Sequence, residues 1–162
     1  MANSNPEPFK VPLSSPDLTD VERQAVMDVL NTPNLSMGPH YQAFEAAVAD
    51  YVGVKHAIAV SSGTSGLHLC VRAAGIQPGD LVLTTPFSFM ASTNAILYER
   101  AIPVFVDAEP LTGNIDPEQL AQAAEDLAAG GAAARKWLPK RGAESHGPMK
   151  AILPVDVFGQ PA

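Results

Sequence analysis

Ala57-Ile58-Ala59-Val60-Ser61-Ser62-Gly63-Thr64-Ser65-Gly66 joins four apolar residues to a run of serine, threonine and glycine. The apolar part reads as a short strand, and the polar part as a turn into a helix that ends near Gly75. The same rhythm continues downstream. Leu81-Val82-Leu83-Thr84 predicts a second strand, and the residues from Phe89 to Tyr98 predict a helix. Ile102-Pro103-Val104-Phe105-Val106 predicts a third strand, with its proline near the start, where a missing N–H is tolerated. Asp116-Pro117-Glu118-Gln119 carries an N-cap, a proline at the first helical position and an acidic first turn. Ala151-Ile152-Leu153-Pro154-Val155-Asp156-Val157-Phe158 predicts a fourth strand. Strands alternating with helices define an α/β fold with a mostly parallel sheet flanked by helices. In such sheets, ligands sit beyond the carboxyl ends of the strands.

Upstream, the pattern is helical. Thr19-Asp20-Val21-Glu22 has the form of a capping box, and apolar residues follow at helical spacing until Asn31-Thr32-Pro33. Tyr41, Phe44, Val48, Tyr51 and Val52 mark a second helix, closed by Gly53. Residues 130–148 fit no element and read as a mobile insertion, long for a connection within a domain.

The 162 residues are 46% hydrophobic and 17% charged, enough apolar content for a packed core and too much for general disorder. No apolar run is long enough to span a bilayer. Met1-Ala2-Asn3-Ser4-Asn5-Pro6-Glu7-Pro8-Phe9-Lys10 lacks the basic start and apolar run of a secretory signal, and the single cysteine, Cys70, forms no disulfide framework. These features together read as a cytoplasmic protein. A net charge of −7 argues against a broad nucleic-acid footprint. The charge is nonetheless uneven: residues 101–134 hold 6 acidic side chains and no basic one. Residues 135–150 then hold Arg135, Lys136, Lys140, Arg141 and Lys150 against Glu144. That stretch reads as a solvated loop or as an attractor of anions.

Chemistry concentrates at the predicted strand exits. At the start of the helix after Ser61-Ser62-Gly63-Thr64-Ser65-Gly66, unpaired N–H groups and the helix dipole favour an anion. Gly63 permits close approach, and the Thr64 and Ser65 hydroxyls can bond phosphate oxygens. An ordinary Ser/Thr cap in a tight turn accounts for the same residues. The spacing is neither the dinucleotide glycine fingerprint nor the P-loop. Phe87 and Phe89, beyond the next strand, suit either a stacking face for a planar ring or the core. Asp107 and Asp156 end later strands, where a carboxylate can meet a ligand or simply cap a loop. His40, His56, His68 and His146 lack metal-ligand spacing, so no metal site is expected. Cys70, in an apolar helical stretch, reads as a buried, inert thiol. No lysine has a clear position for covalent catalysis.

Taken in order, these motifs resemble the DegT/DnrJ/StrS-type aminotransferases. The resemblance rests on Gly38-Pro39, Phe44-Glu45, Tyr51-Val52-Gly53-Val54, Ala57 to Thr64, Gly75-Ile76-Gln77-Pro78-Gly79-Asp80 and Pro86-Phe87-Ser88-Phe89-Met90-Ala91-Ser92. Pro103-Val104-Phe105-Val106-Asp107, Thr112-Gly113-Asn114-Ile115-Asp116 and Pro154-Val155-Asp156-Val157-Phe158-Gly159 complete it. It implies an incomplete large domain of a fold-type-I, pyridoxal 5'-phosphate-dependent transferase, with residues 54–162 its first part. Residues 1–53 would then be a helical segment serving the dimer and active site. The implied reaction moves an amino group, often from glutamate, onto a keto group of a nucleotide-linked sugar for polysaccharide or antibiotic synthesis. A few relatives dehydrate instead. By position, Gly63, Thr64 and Ser65 hold the cofactor phosphate and Phe89 stacks on its ring. The Schiff-base lysine and the acidic partner of the ring nitrogen lie downstream in the family. The expectation is therefore an N-terminal portion with no catalytic residue of its own, inactive alone and prone to associate through exposed sheet and dimer faces. The alternative is a non-catalytic module that binds a phosphorylated ligand or pairs with a separate second half. Neither a nucleic acid nor a membrane is an expected partner.

Overall fold

The computed structural model describes residues 15–141, 143 and 145–162. The leader reading of residues 1–10, Lys10 included, and Glu144 of the basic stretch lie outside these. The described residues form two compact units, divided between Ala59 and Val60.

The first unit carries two helices, α1 (Asp20–Leu30) and α2 (Pro39–Val52). Thr19 and Glu22 close the capping box of α1 reciprocally, side chain to backbone in each direction. Gly53 ends α2 in the left-handed conformation at φ 75°, where a side chain would be strained. The strand expected at residues 57–60 does not form. Side chains of α2 satisfy this backbone instead of a ladder: Ala59 N–H donates to Glu45 Oε1 at 2.8 Å, and Tyr41 OH donates to Ala59 O at 2.8 Å.

In the second unit, α3 (Gly63–Ala73) leads into β1 (Leu81–Thr84), followed by α4 (Ala91–Tyr98) and β2 (Ile102–Phe105). α5 (Pro117–Ala129) and α6 (Gly131–Arg135) then precede β3 (Met149–Leu153) and a 3-10 turn at Val157–Gly159. The sheet is parallel, in the order β2-β1-β3. β1 is central and must be covered on both faces, so its residues read as a continuous apolar run rather than an alternating one. Leu81 and Leu83 pack with Val104, Val106, Ala123 and Leu127 on one face. Val82 packs with Val71, Ile76, Ala95 and Ile96 on the other. The connections explain the two layers. From β1 the chain crosses to β2 on one side, then returns past β1 to β3; right-handed crossovers in opposite directions put their helices on opposite faces.

Pro103 is tolerated because β2 is an edge strand of the described sheet. β3 starts and stops earlier than the expected 151–158. Its last rung pairs Leu153 with Thr84, the end of β1, and Pro154 has no N–H to extend the ladder. Asp116 caps α5 as expected, and bonds from the backbone N–H and side-chain amide of Gln119, with a lesser one from Glu118 N–H, hold its carboxyl below the usual range.

The stretch 130–148, expected to hold no element, contains α6 and an anchor behind it. Asp126 Oδ2 accepts from Lys136 Nζ at 2.6 Å and from Trp137 Nε1 at 2.8 Å. Ala134, Trp137 and Leu138 pack on the core face that α5 covers. Cys70 is exposed, against expectation, because α3 turns Leu67 and Val71 inward and leaves Leu69 and Cys70 outside. No helix among the described residues is long and apolar enough to cross a membrane.

The Lys136 ammonium and Trp137 indole hold the Asp126 carboxyl below the usual carboxylate range. A lowered carboxyl stabilises the fold above its ordinary value, and that contribution is lost as pH falls through the folded value. The emission of Trp137, the only tryptophan, should therefore stay constant from about pH 7 to 5 and shift red below about pH 4. In Asp126→Asn it should be red-shifted already at neutral pH.

Candidate functional site at the carboxyl edge of the sheet

α3 enters the amino end of β1 through the loop at residues 75–80, where Gly79 N–H donates to Arg100 O at 2.9 Å. α4 ends at that same edge. His68 Nε2 lies 2.6 Å from Glu99 Oε1, its ring packs edge-on against Tyr98, and Arg72 approaches Glu99 at 3.5 Å. With their carboxyl ends together at the amino edge of the sheet, both helices direct their amino ends to the carboxyl edge.

Gly63, Thr64 and Ser65 form the first turn of α3. Ser62 is the N-cap: its Oγ accepts from Ser65 N–H at 3.2 Å and lies 3.0 Å from Ser65 Oγ. Ser61 Oγ lies 3.3 Å from Ser65 Oγ on another side. The expected Ser/Thr cap is therefore real, and it consumes one of the orphan N–H groups of the turn. The N–H groups of Gly63 and Thr64 meet no acceptor among the described residues. A Cβ placed on Gly63 would meet nothing within 4 Å, and its φ is not positive. Neither packing nor backbone conformation requires glycine there.

The loop after β1 is built to project aromatics. Thr84 is fully buried and donates from Oγ1 to Leu153 O at 2.8 Å, locking the carboxyl ends of β1 and β3 together. Thr85 Oγ1 accepts from Phe87 N–H at 3.3 Å, and Ser88 Oγ lies 2.8 Å from Ser92 Oγ. Phe89 emerges 81% exposed and Phe87 51% exposed, so the core alternative is set aside for both. They line a cleft of about 380 Å³ with Asp156 and Phe158, between the exits of β1 and β3. Phe87 meets Phe158 edge-on at 6.2 Å between ring centres. None of Gly63, Thr64 and Ser65 lines this cleft; what they share with Phe89 is the carboxyl edge of the sheet.

Asp107 and Asp156 take the loop role. Asp107 Oδ1 accepts from Ala108 N–H and Asp156 Oδ1 from Ala162 N–H, at 2.8 and 2.9 Å. The residue that sequence reading missed is Asn114. Buried, it donates from Nδ2 to Gln160 O and Pro161 O at 3.1 and 2.9 Å and accepts from Val157 N–H at 3.0 Å. It thereby fixes the 157–161 segment beside the cleft. A buried side-chain amide inside Thr112-Gly113-Asn114-Ile115-Asp116 was the available signal, since a turn asparagine normally bonds locally. Gly113 beside it is held at φ 77°, and a Cβ there would lie 3.0 Å from the Phe87 ring. No cluster that could hold a metal occurs among the described residues.

Replacing Asn114 by alanine removes three hydrogen bonds. At roughly 1 kcal/mol each, the expected cost is about 3 kcal/mol in urea denaturation.

Residues 16–162 match the DegT/DnrJ/EryC1/StrS aminotransferase family. The chain is 42% identical over 152 residues to the GDP-perosamine synthase of Caulobacter vibrioides, covering 93% of this chain and 35% of that protein. It is 44% identical over 110 residues to the spore coat polysaccharide biosynthesis protein SpsC of Bacillus subtilis, covering 68% of this chain and 28% of that one. Among solved structures, it resembles a DegT DnrJ EryC1 StrS aminotransferase from Brucella abortus with a TM-score of 0.71 and 34% identity. That likeness covers 86% of this chain and 34% of the other. The chain spans about a third of the length of the curated relatives it matches. Motif order, fold and these likenesses agree: the chain belongs to the DegT/DnrJ/EryC1/StrS aminotransferase family.

Proposed function

We propose that this chain provides the cofactor-binding part of an aminotransferase that acts on a keto group of a nucleotide-linked sugar. The family is pyridoxal 5'-phosphate-dependent. The observation that carries the reading is the first turn of α3, where no contact among the described residues requires Gly63 and the N–H groups of Gly63 and Thr64 have no acceptor there. In this assignment the N–H groups of Gly63 and Thr64 take phosphate oxygens, with the dipole of α3 behind them. Ser65 Oγ, already drawn into the serine cluster by Ser61 and Ser62, adds a further bond from a preset position. Phe89 offers an exposed ring face at the same edge and orients the planar cofactor ring by stacking. The cofactor supplies an electron sink that lets an amino group change carbon.

Glutamate as amino donor, a homodimeric state, a cytoplasmic setting and a dimer role for residues 1–53 belong to the same proposal. So does the assignment of residues 54–162 as the first part of the cofactor-binding domain. The sugar-linked relatives GDP-perosamine synthase and SpsC support the substrate class. The covalent lysine is assigned to no residue of this chain. Lys136 is bound to Asp126, and Lys140 shares a cleft with His146, next to Gly147 at the amino edge of the sheet.

Pyridoxamine 5'-phosphate is the suitable probe, because its amine forms no adduct with surface lysines. In calorimetry it should bind at least tenfold more tightly than pyridoxamine, which lacks the phosphate. Gly63→Val should remove that difference, and Phe89→Ala should weaken both ligands about fivefold, on the scale of a lost aromatic contact. Equal affinity for the two ligands would contradict the assignment.

A further inference from the structure

The basic stretch after α6 has no part in the proposed aminotransferase site. Among the described residues, Arg135, Lys140 and His146 line a cleft of about 620 Å³, together with an apolar wall that includes Ala134, Leu138 and Pro139. We propose that this cleft binds a small molecule carrying a diphosphate or comparable polyanion, at a site separate from the cofactor.

Three observations carry the proposal. The first is placement. Gly147 N–H donates to Gly79 O at 2.8 Å and Leu81 N–H to Pro148 O at 2.9 Å, so His146 stands at the amino end of β1, away from the carboxyl edge that holds Gly63 and Phe89. The second is rigidity. Asp126 anchors the segment at Lys136 and Trp137, while Gly147 is seated so tightly that a Cβ would come within 2.7 Å of Asp80 Oδ1. Lys136, Trp137 and Gly147, the described residues on either side of the cleft, are thus held in place, which lowers the ordering cost of binding. His146 is itself held, donating from Nδ1 to Gly147 O at 2.8 Å.

The third observation is the charge pattern. A chain of net charge −7 gathers five of its ten lysines and arginines into residues 135–150, against the single acid Glu144. Lys136 is diverted to Asp126, and it is Arg135 and Lys140 that line the cleft. Arginine presents a planar fork matched to phosphate oxygens, and lysine adds a compact charge; the two together suit a multivalent phosphate better than a single carboxylate. Arg100 and Arg141 line the neighbouring cleft beside Trp137, and Pro139 borders both. The cationic field therefore extends past the first site and keeps Trp137 within reach as a reporter.

Inorganic pyrophosphate titrated into the full chain, followed by calorimetry and by Trp137 emission, tests the proposal. In the Gly63→Val background, which removes the phosphate site at the first turn of α3, saturable one-to-one binding is expected, weakened at least tenfold by adding Arg135→Ala/Lys140→Ala and severalfold by adding Lys140→Ala alone. Lys150→Ala, which removes a charge from the same stretch but not from the cleft, should stay within twofold. Gly63→Val should also bind normally, even where it has lost pyridoxamine 5'-phosphate. Non-saturable binding, an equal loss in Lys150→Ala, or loss in Gly63→Val would overturn the proposal. Unchanged circular dichroism in the cleft variants distinguishes lost binding from lost folding.

Discussion

The burial of β1 on both faces is the constraint from which the second unit follows. Leu81, Val82, Leu83 and Thr84 are each at most 1% exposed, so side chains of both parities need apolar partners. A strand so placed can be only the middle of a parallel sheet with helices above and below. Once α3 and α4 cover one face and α5 and α6 the other, the connecting loops are sorted to the two edges. The helix starts and aromatic loops gather at the carboxyl edge, while the helix ends and the basic stretch gather at the amino edge. The proposed cofactor turn and the proposed polyanion cleft fall on opposite sides of that line.

Hydrogen bonds turn this arrangement into defined sites. Thr84 is a polar residue in a fully buried strand, and the cost of burying its hydroxyl is offset by the carbonyl of Leu153. That bond ties the exits of β1 and β3, so the loops bearing Phe87, Phe89 and Phe158 start from fixed points. Asn114 then secures the far side of the cleft. At the opposite edge, one carboxylate, Asp126, holds both a lysine and the tryptophan that follows it. In each case a single buried or half-buried polar group fixes a loop that apolar packing alone would leave free to move.

Much of this was legible in the sequence, for local reasons. The caps at Thr19, Asp116 and Gly53 depend on neighbouring residues, and each forms as its residue types dictate. The runs at Leu81 and Ile102 announce buried strands through their apolar continuity. Sequence reading failed where distant partners decide. Ala57-Ile58-Ala59-Val60 has the composition of a strand, yet Tyr41 and Glu45 take the backbone groups of Ala59 that a ladder would have used. Residues 130–148 lack periodicity, so neither the short α6 nor its anchor on Asp126 could be foreseen. Cys70 and the two phenylalanines depend on which side of an element faces the core, and short elements with mixed faces leave that open. Gly63, Thr64 and Ser65 stand out in the sequence because a glycine and hydroxyl cluster at a helix start is a local feature with a direct physical use.

The central claim is that an anion belongs at the first turn of α3. The most direct measurement is the amide nitrogen–proton spectrum of the isotope-labelled chain during addition of pyridoxamine 5'-phosphate. The account predicts that the Gly63 and Thr64 amides move first and furthest, downfield as their protons bond to phosphate oxygens, while the amides near Arg135 and Lys140 stay in place. Shifts confined to residues 135–146, or spread evenly over the surface, would contradict it.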